Sequence, residues 1–133
     1  MKNEYIAGDL VKFATNTYTI VNFEENFLHN KICYAMISTN STKTAFVADR
    51  DILPIPITEE ILEKNGWKKK MYCDWCHYLP IEGNILYLSK GIGIDGAFSV
   101  DVGQGMSHIA CISFVHQLQH LLFGFGLSSK MEV

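Results

Sequence analysis

Through the first third of the chain, apolar and β-branched residues arrive in short runs cut by turn formers. Tyr5 to Phe13 reads as a turn followed by a strand, and Asn16 permits a tight reversal. Tyr18-Thr19-Ile20-Val21-Asn22-Phe23 is rich in β-branched and aromatic residues and predicts a second strand. Lys31 to Thr39 and Thr44 to Ala48 predict two more, separated by the turn cluster Asn40-Ser41-Thr42. Alternation is imperfect, which fits strands covered on both faces. Short strands at this spacing predict a small barrel-like or strongly bent sheet.

The pattern then changes. Pro54-Ile55-Pro56-Ile57 enforces an extended strap and removes two backbone donors. Thr58 is a good N-cap, Glu59 and Glu60 suit the positive end of a helix dipole, and Asn65-Gly66 ends that helix at about two turns. Trp67 then anchors the chain. Met71 to Leu79, Ile85 to Lys90 and Ala97 to Val102 predict a three-stranded antiparallel sheet. Pro80 to Asn84 and Gly91 to Gly96 supply its turns, and Gly103 to Ser107 reads as a connection into the last helix.

That last helix has the clearest period. Phe114, Val115, Leu118, Leu121, Leu122 and Phe125 recur at spacings of three and four and form one face. His116 and His120 lie a turn apart nearly opposite, flanked by Ser113, Gln117 and Gln119. The expectation is a buried leucine face and a presented imidazole-amide stripe, with Phe123 on the polar side. Gly124 and Gly126 are stop signals. The elements add up to an α+β protein: a small N-terminal barrel-like sheet, a short helix, a three-stranded antiparallel sheet and a closing C-terminal amphipathic helix. Residues 1–133 are expected as a single compact domain, with 1–53 and 54–133 as candidate sub-units.

Composition narrows the function classes. Hydrophobic residues make up 48% and charged residues 19%, which excludes a disordered chain. A net charge of −3 leaves no basic field for a nucleic-acid backbone. Lys68-Lys69-Lys70 is the single basic run and fits a solvated turn. No apolar stretch approaches the roughly 20 residues that span a bilayer. Met1 to Tyr5 lacks a signal-peptide core, so a cytoplasmic location is expected. There Cys33, Cys73, Cys76 and Cys111 read as packing residues or metal ligands rather than disulfides.

Three segments together carry a resemblance. They are Ile6-Ala7-Gly8-Asp9-Leu10-Val11, Ile55-Pro56-Ile57-Thr58-Glu59-Glu60-Ile61-Leu62-Glu63-Lys64-Asn65-Gly66-Trp67, and Val115-His116-Gln117-Leu118-Gln119-His120-Leu121. In this order and spacing the chain resembles a family of small uncharacterised proteins of gut Bacteroidetes, their prophages and phages. The family usually carries Asn where this chain has His120, and a Thr-Gly-Glu-Glu-like tail where this chain has Gly124 to Leu127. The resemblance implies a phage or mobile-element setting, in the cytoplasm of the host cell, and brings no catalytic residue with it.

Several constellations could carry chemistry. Cys73 and Cys76 have the spacing of a zinc knuckle, His77 is adjacent, and His116 with His120 could complete a four-ligand site. Against it, a strand over 71 to 79 points Cys73 and Cys76 to opposite faces. A redox dithiol lacks its strand-helix context. Gly91-Ile92-Gly93-Ile94-Asp95-Gly96 matches a dinucleotide fingerprint, but a strand rather than a helix comes after it. Asp95, Asp101 and His108 lie on or beside glycine-rich loops as a candidate hydrolytic cluster, without a nucleophile-base motif. Trp67, Tyr72, Trp75, Tyr78 and Tyr87 offer a core plus a sticky flank.

The expected function is that of a non-catalytic phage or mobile-element accessory protein. It would bind a host protein or sequester a small signalling molecule, in a counter-defence role, through His116, His120, Gln119, Trp75 and His77. No cofactor is expected, and a free sheet edge offers a route to a homo-oligomer. The alternative is a small zinc-dependent enzyme or zinc-stapled module built on Cys73, Cys76, His77, His116 and His120.

Overall fold

The structure is a computed structural model that describes residues 5–26, 31–39, 42–71, 76–90 and 97–133. Strands dominate it. Two five-stranded antiparallel sheets replace the expected α+β arrangement of a barrel-like sheet and a three-stranded one. The chain divides into two compact units, Met1–Ile55 with Val115–Met131, and Pro56–Phe114 with Glu132–Val133.

The first unit holds β1 (Leu10–Phe13), β2 (Asn16–Asn26), β3 (Lys31–Ser38), β4 (Thr44–Ala48) and β5 (Leu53–Pro54), in the order β4-β3-β2-β1-β5. Among the described residues no pairing joins β4 to β5, so the sheet is open rather than a closed barrel. Its inner face alternates as a half-buried sheet should. Val11 lies opposite Tyr18, Ile20 opposite Met36 and Tyr34 opposite Val47, and all six are buried. Tyr5 and Ile52 complete this core. A one-residue irregularity between Ile20 and Asn22 leaves Val21 exposed. The last helix, α2 (Val115–Gly124), belongs to this unit and not to the second sheet. The amide of Val115 donates to the carbonyl of Ile55 at 2.8 Å. Gly126, at φ +76°, closes the helix, with the amides of Gly126 and Leu127 donating to the carbonyls of Phe123 and Leu122.

The second unit holds α1 (Glu59–Lys64), β6 (Lys68–Lys69), β7 (Cys76–Ile81), β8 (Asn84–Lys90), β9 (Phe98–Val102) and β10 (Ser107–Ile112). Its sheet runs β10-β9-β8-β7-β6. The short helix forms as the sequence predicts. The Ile61 amide donates to Thr58 Oγ1 at 3.2 Å, and Gly66 and Trp67 return their amides to Glu63 and Leu62. Asn65 clasps Glu132, accepting from its amide at 2.8 Å and donating to its carbonyl at 2.6 Å. Leu62, Leu86, Leu88, Val100, Phe98, Ile112 and Trp67 are buried. β7 includes Pro80 and Ile81, so the hairpin closes through Glu82-Gly83 alone, with Ile81 opposite Asn84.

The two sheet extensions absent from the expected fold have local causes. β6 is a two-residue charged edge strand, read from sequence as a lysine turn. β10 was hidden by its own irregularity. The register shifts between His108 and Ala110, leaving Ile109 as the extra residue of a bulge. A bulge destroys strict alternation, so residues 108–112 carry no strand signal in the sequence, which reads only as a connection from Gly103 to Ser107 before the last helix.

Candidate functional site

Three surfaces or clusters hold the chemistry. The first ties α2 to the loop before β1. Gln119 is buried and fully used. Its Oε1 accepts from the Leu10 amide at 2.9 Å, and its Nε2 donates to the carbonyls of Gly8 at 3.0 Å and Ser129 at 2.9 Å. The buried Asp9 accepts from the Ile6 amide at 2.9 Å, making a local turn, and both its oxygens lie 2.9 Å from His120 Nε2. That nitrogen therefore carries a proton and donates, because a carboxylate only accepts. His116 is buried edge-on against Tyr5, with ring centroids 5.0 Å apart, and stands 5.7 Å from the His120 ring. Burial pushes the His116 ring below its ordinary value of 6.5; His120 adds to that and the Asp9 carboxylate works against it.

The expected polar stripe of α2 is thus turned inward. Val115, His116, Leu118, Gln119 and Leu122 are buried, Phe123 and Phe125 are exposed, and His120 is partly exposed at 36%. Helical periodicity could not reveal this, because the Leu10 amide, the Gly8 carbonyl and Asp9, which hold Gln119 and His120, lie 109 to 111 residues away in the chain. The early and late segments of the resemblance meet here, in a contact that locks the fold.

The second cluster lies on the outer face of the second sheet. β9 places Ser99 and Asp101 on one face, two residues apart. Cys111 stands opposite Ser99 and His108 opposite Asp101. Cys111 and His108 are three residues apart and would point to opposite faces of a regular strand. The bulge at Ile109 returns them to the same one. His108 Nδ1 is 2.8 Å from Ser99 Oγ and 3.3 Å from Asp101 Oδ1, and its Nε2 is 3.8 Å from Cys111 Sγ. Tyr87 sits opposite Asp101 on the next strand and Tyr78 opposite Tyr87, with Lys70 Nζ 5.4 Å from the Tyr87 ring centre. Asp101 and His108 were candidates from sequence. Ser99 and Cys111 were missed, and only the bulge brings Cys111 to them.

The third feature is an apolar groove of about 310 Å³ on the outer face of the first sheet, lined by Val21, Ala35, Met36, Ile37, Thr44, Ala45 and Phe46. Phe46 is 59% exposed, Val21 47% and Ile37 41%. Phe46 lies on the edge strand β4, opposite Ala35.

The remaining predicted residues separate. His116, Gln119 and His120 belong to the first unit, Cys76 and His77 to the second, and Cys73, Trp75, Tyr72 and Asp95 fall outside the described residues, as does the glycine string from 91 to 96. Cys76 is buried. His77 is 1% exposed, and its Nε2 is 3.6 Å from Glu63 Oε1, beyond hydrogen-bond reach; neither ring nitrogen finds a hydrogen-bond partner among the described residues. Among those residues, no three His, Cys, Asp or Glu side chains gather in a metal-holding arrangement. No helix there is long and apolar enough to cross a membrane.

No protein-family model, curated protein or solved structure matches the chain.

Proposed function

We propose that this is a non-catalytic binding protein of phage or mobile-element origin that engages a host protein by strand addition at β4, in a counter-defence role. The observation that carries the reading is an exposed apolar groove beside β4, an end strand to which no further strand pairs among the described residues. Thr44-Ala45-Phe46-Val47-Ala48 contains no charge and no proline, two of the devices that protect edge strands. By contrast β5, at the other end of the sheet, carries Pro54. An added strand would find backbone donors and acceptors along β4, and its alternate side chains would enter the groove at Phe46, Val21 and Ile37. The lining offers one hydroxyl, Thr44, among apolar side chains. That composition suits aliphatic or aromatic side chains of a peptide better than a charged signalling molecule.

The setting comes from the resemblance of the three sequence segments, and the mode of binding from the groove. The test is capture of a host protein from extract by the full chain, compared with Phe46→Lys and with Leu53→Lys on the opposite edge. Phe46→Lys should lose at least nine-tenths of the captured protein and Leu53→Lys should keep it. Equal capture by all three rules out the groove. A concentration-dependent dimer of the wild type that Phe46→Lys abolishes would replace the host protein with a second copy of this chain.

A further inference from the structure

We propose that Cys111 is a nucleophilic thiol, activated by His108 and held in place by Asp101 and Ser99, that undergoes exchange with small-molecule disulfides. The site lies in the second unit and is independent of the β4 groove. Three observations on the outer face of the second sheet carry the proposal. The thiol is exposed, while the other described cysteines are partly buried (Cys33) or buried (Cys76). The His108 ring stands between the thiol and a carboxylate, with one nitrogen toward each. The strand departs from regular geometry at the one position that brings the two residues to a common face.

The tautomer is set by the partners. Ser99 Oγ donates to Asp101 Oδ1 at 3.5 Å, which leaves it to accept from His108 Nδ1 at 2.8 Å, so the ring proton sits on Nδ1, on the side of the Asp101 carboxylate 3.3 Å away. The Nε2 lone pair is then left facing Cys111 Sγ at 3.8 Å. This is the arrangement of a base beside a nucleophile, with a third group orienting the base. The approach is longer than an ideal hydrogen bond, as such pairs commonly are before a reactant arrives. Among the described residues, the charged and titratable groups that the strand register places around the cluster are Asp101 on β9, Tyr87 on β8, Tyr78 and Cys76 on β7, and Lys70 over the Tyr87 ring.

The step balances without any other oxidant. Cys111 gives its proton to His108 Nε2, and the thiolate attacks one sulfur of the small disulfide. The bond between Cys111 Sγ and that sulfur forms as the original sulfur–sulfur bond breaks. The departing thiolate takes the proton from the imidazolium and leaves as a thiol. One disulfide is exchanged for another, and the protein carries a mixed disulfide at Cys111. The exposed thiol suits exchange with a small disulfide, and among the described residues no oxyanion-holding donors are assembled beside it, as hydrolysis would need.

The probes are an aromatic disulfide that releases a coloured thiol, for rates, and glutathione disulfide with subsequent peptide mass mapping, for position. Near pH 7 the fastest-reacting thiol should be Cys111, and Cys111→Ser should abolish that phase. His108→Gln should slow it about tenfold and Asp101→Asn by a smaller factor, both effects closing in strongly alkaline solution where hydroxide has already removed the proton. His108 is 56% exposed, so its replacement leaves the fold intact. Labelling first at another cysteine, or a His108→Gln rate equal to wild type across the pH range, overturns the proposal. Capture through the β4 groove should be unchanged in Cys111→Ser, so the two readings stand or fall separately.

Discussion

Gln119 shows how a polar side chain becomes a structural bolt. Its amide makes three hydrogen bonds, to the Leu10 amide and to the carbonyls of Gly8 and Ser129, while 2% exposed. Replacing it with leucine conserves bulk but leaves the buried Leu10 amide without its acceptor and removes the donor to two part-buried carbonyls. Gln119→Leu should lower unfolding free energy by about 2–4 kcal/mol, read by urea denaturation. Gln119→Glu keeps the acceptor for Leu10 and loses both donors, so it should also destabilise. His120 works with Asp9 in the same way, donating to a carboxylate that already closes the Ile6 turn.

Among the elements, short-range signals were legible and long-range ones were not. Thr58, Asn65 and Gly66 bounded α1 because caps are local chemistry. The leucine period located α2 to within a residue or two. It misplaced His116 and Gln119, whose partners lie far along the chain. β10 escaped because Ile109 interrupts its alternation, and the fold class went with it. Of the candidate chemistry, Asp101 and His108 could be named, but the thiol they face could not. The β1–β2 hairpin offers a test at this scale. Phe13 pairs with Asn16, and Ala14 between them has φ +54°, a region that L residues with a Cβ disfavour. Ala14→Gly should relieve that strain and raise stability by about 0.5–1 kcal/mol, after the extra entropy glycine gives the unfolded chain. A calorimetric midpoint a few degrees higher would confirm it.

For the molecule as a whole, acidity should act through the first unit. His116 is held below 6.5 by burial, so as pH falls the unfolded chain takes up the proton before the folded one does. The stability associated with the neutral ring is complete above about 6.5 and erodes as pH falls below it toward the folded value. The slope from this one group is at most about 1.4 kcal/mol per pH unit. Tyr5 and His120 pack against the ring, and Asp9 and His120 are the charged neighbours that act on it. Urea midpoints measured from about pH 7 down to about pH 5 should therefore drop in the wild type. His116→Gln, which cannot titrate, should flatten that drop, and an unchanged slope would assign it to other groups.

The extra residue in β10 also bears on inheritance. His108 with Asp101, and Cys111 with Ser99, are matched on either side of Ile109. A lineage that lost the codon for Ile109 would straighten the strand and keep both matches. One that gained a neighbouring codon would have to absorb it in the loop or separate thiol from imidazole. The arrangement therefore survives shortening more readily than lengthening, an asymmetry that a survey of the gene across related genomes would expose.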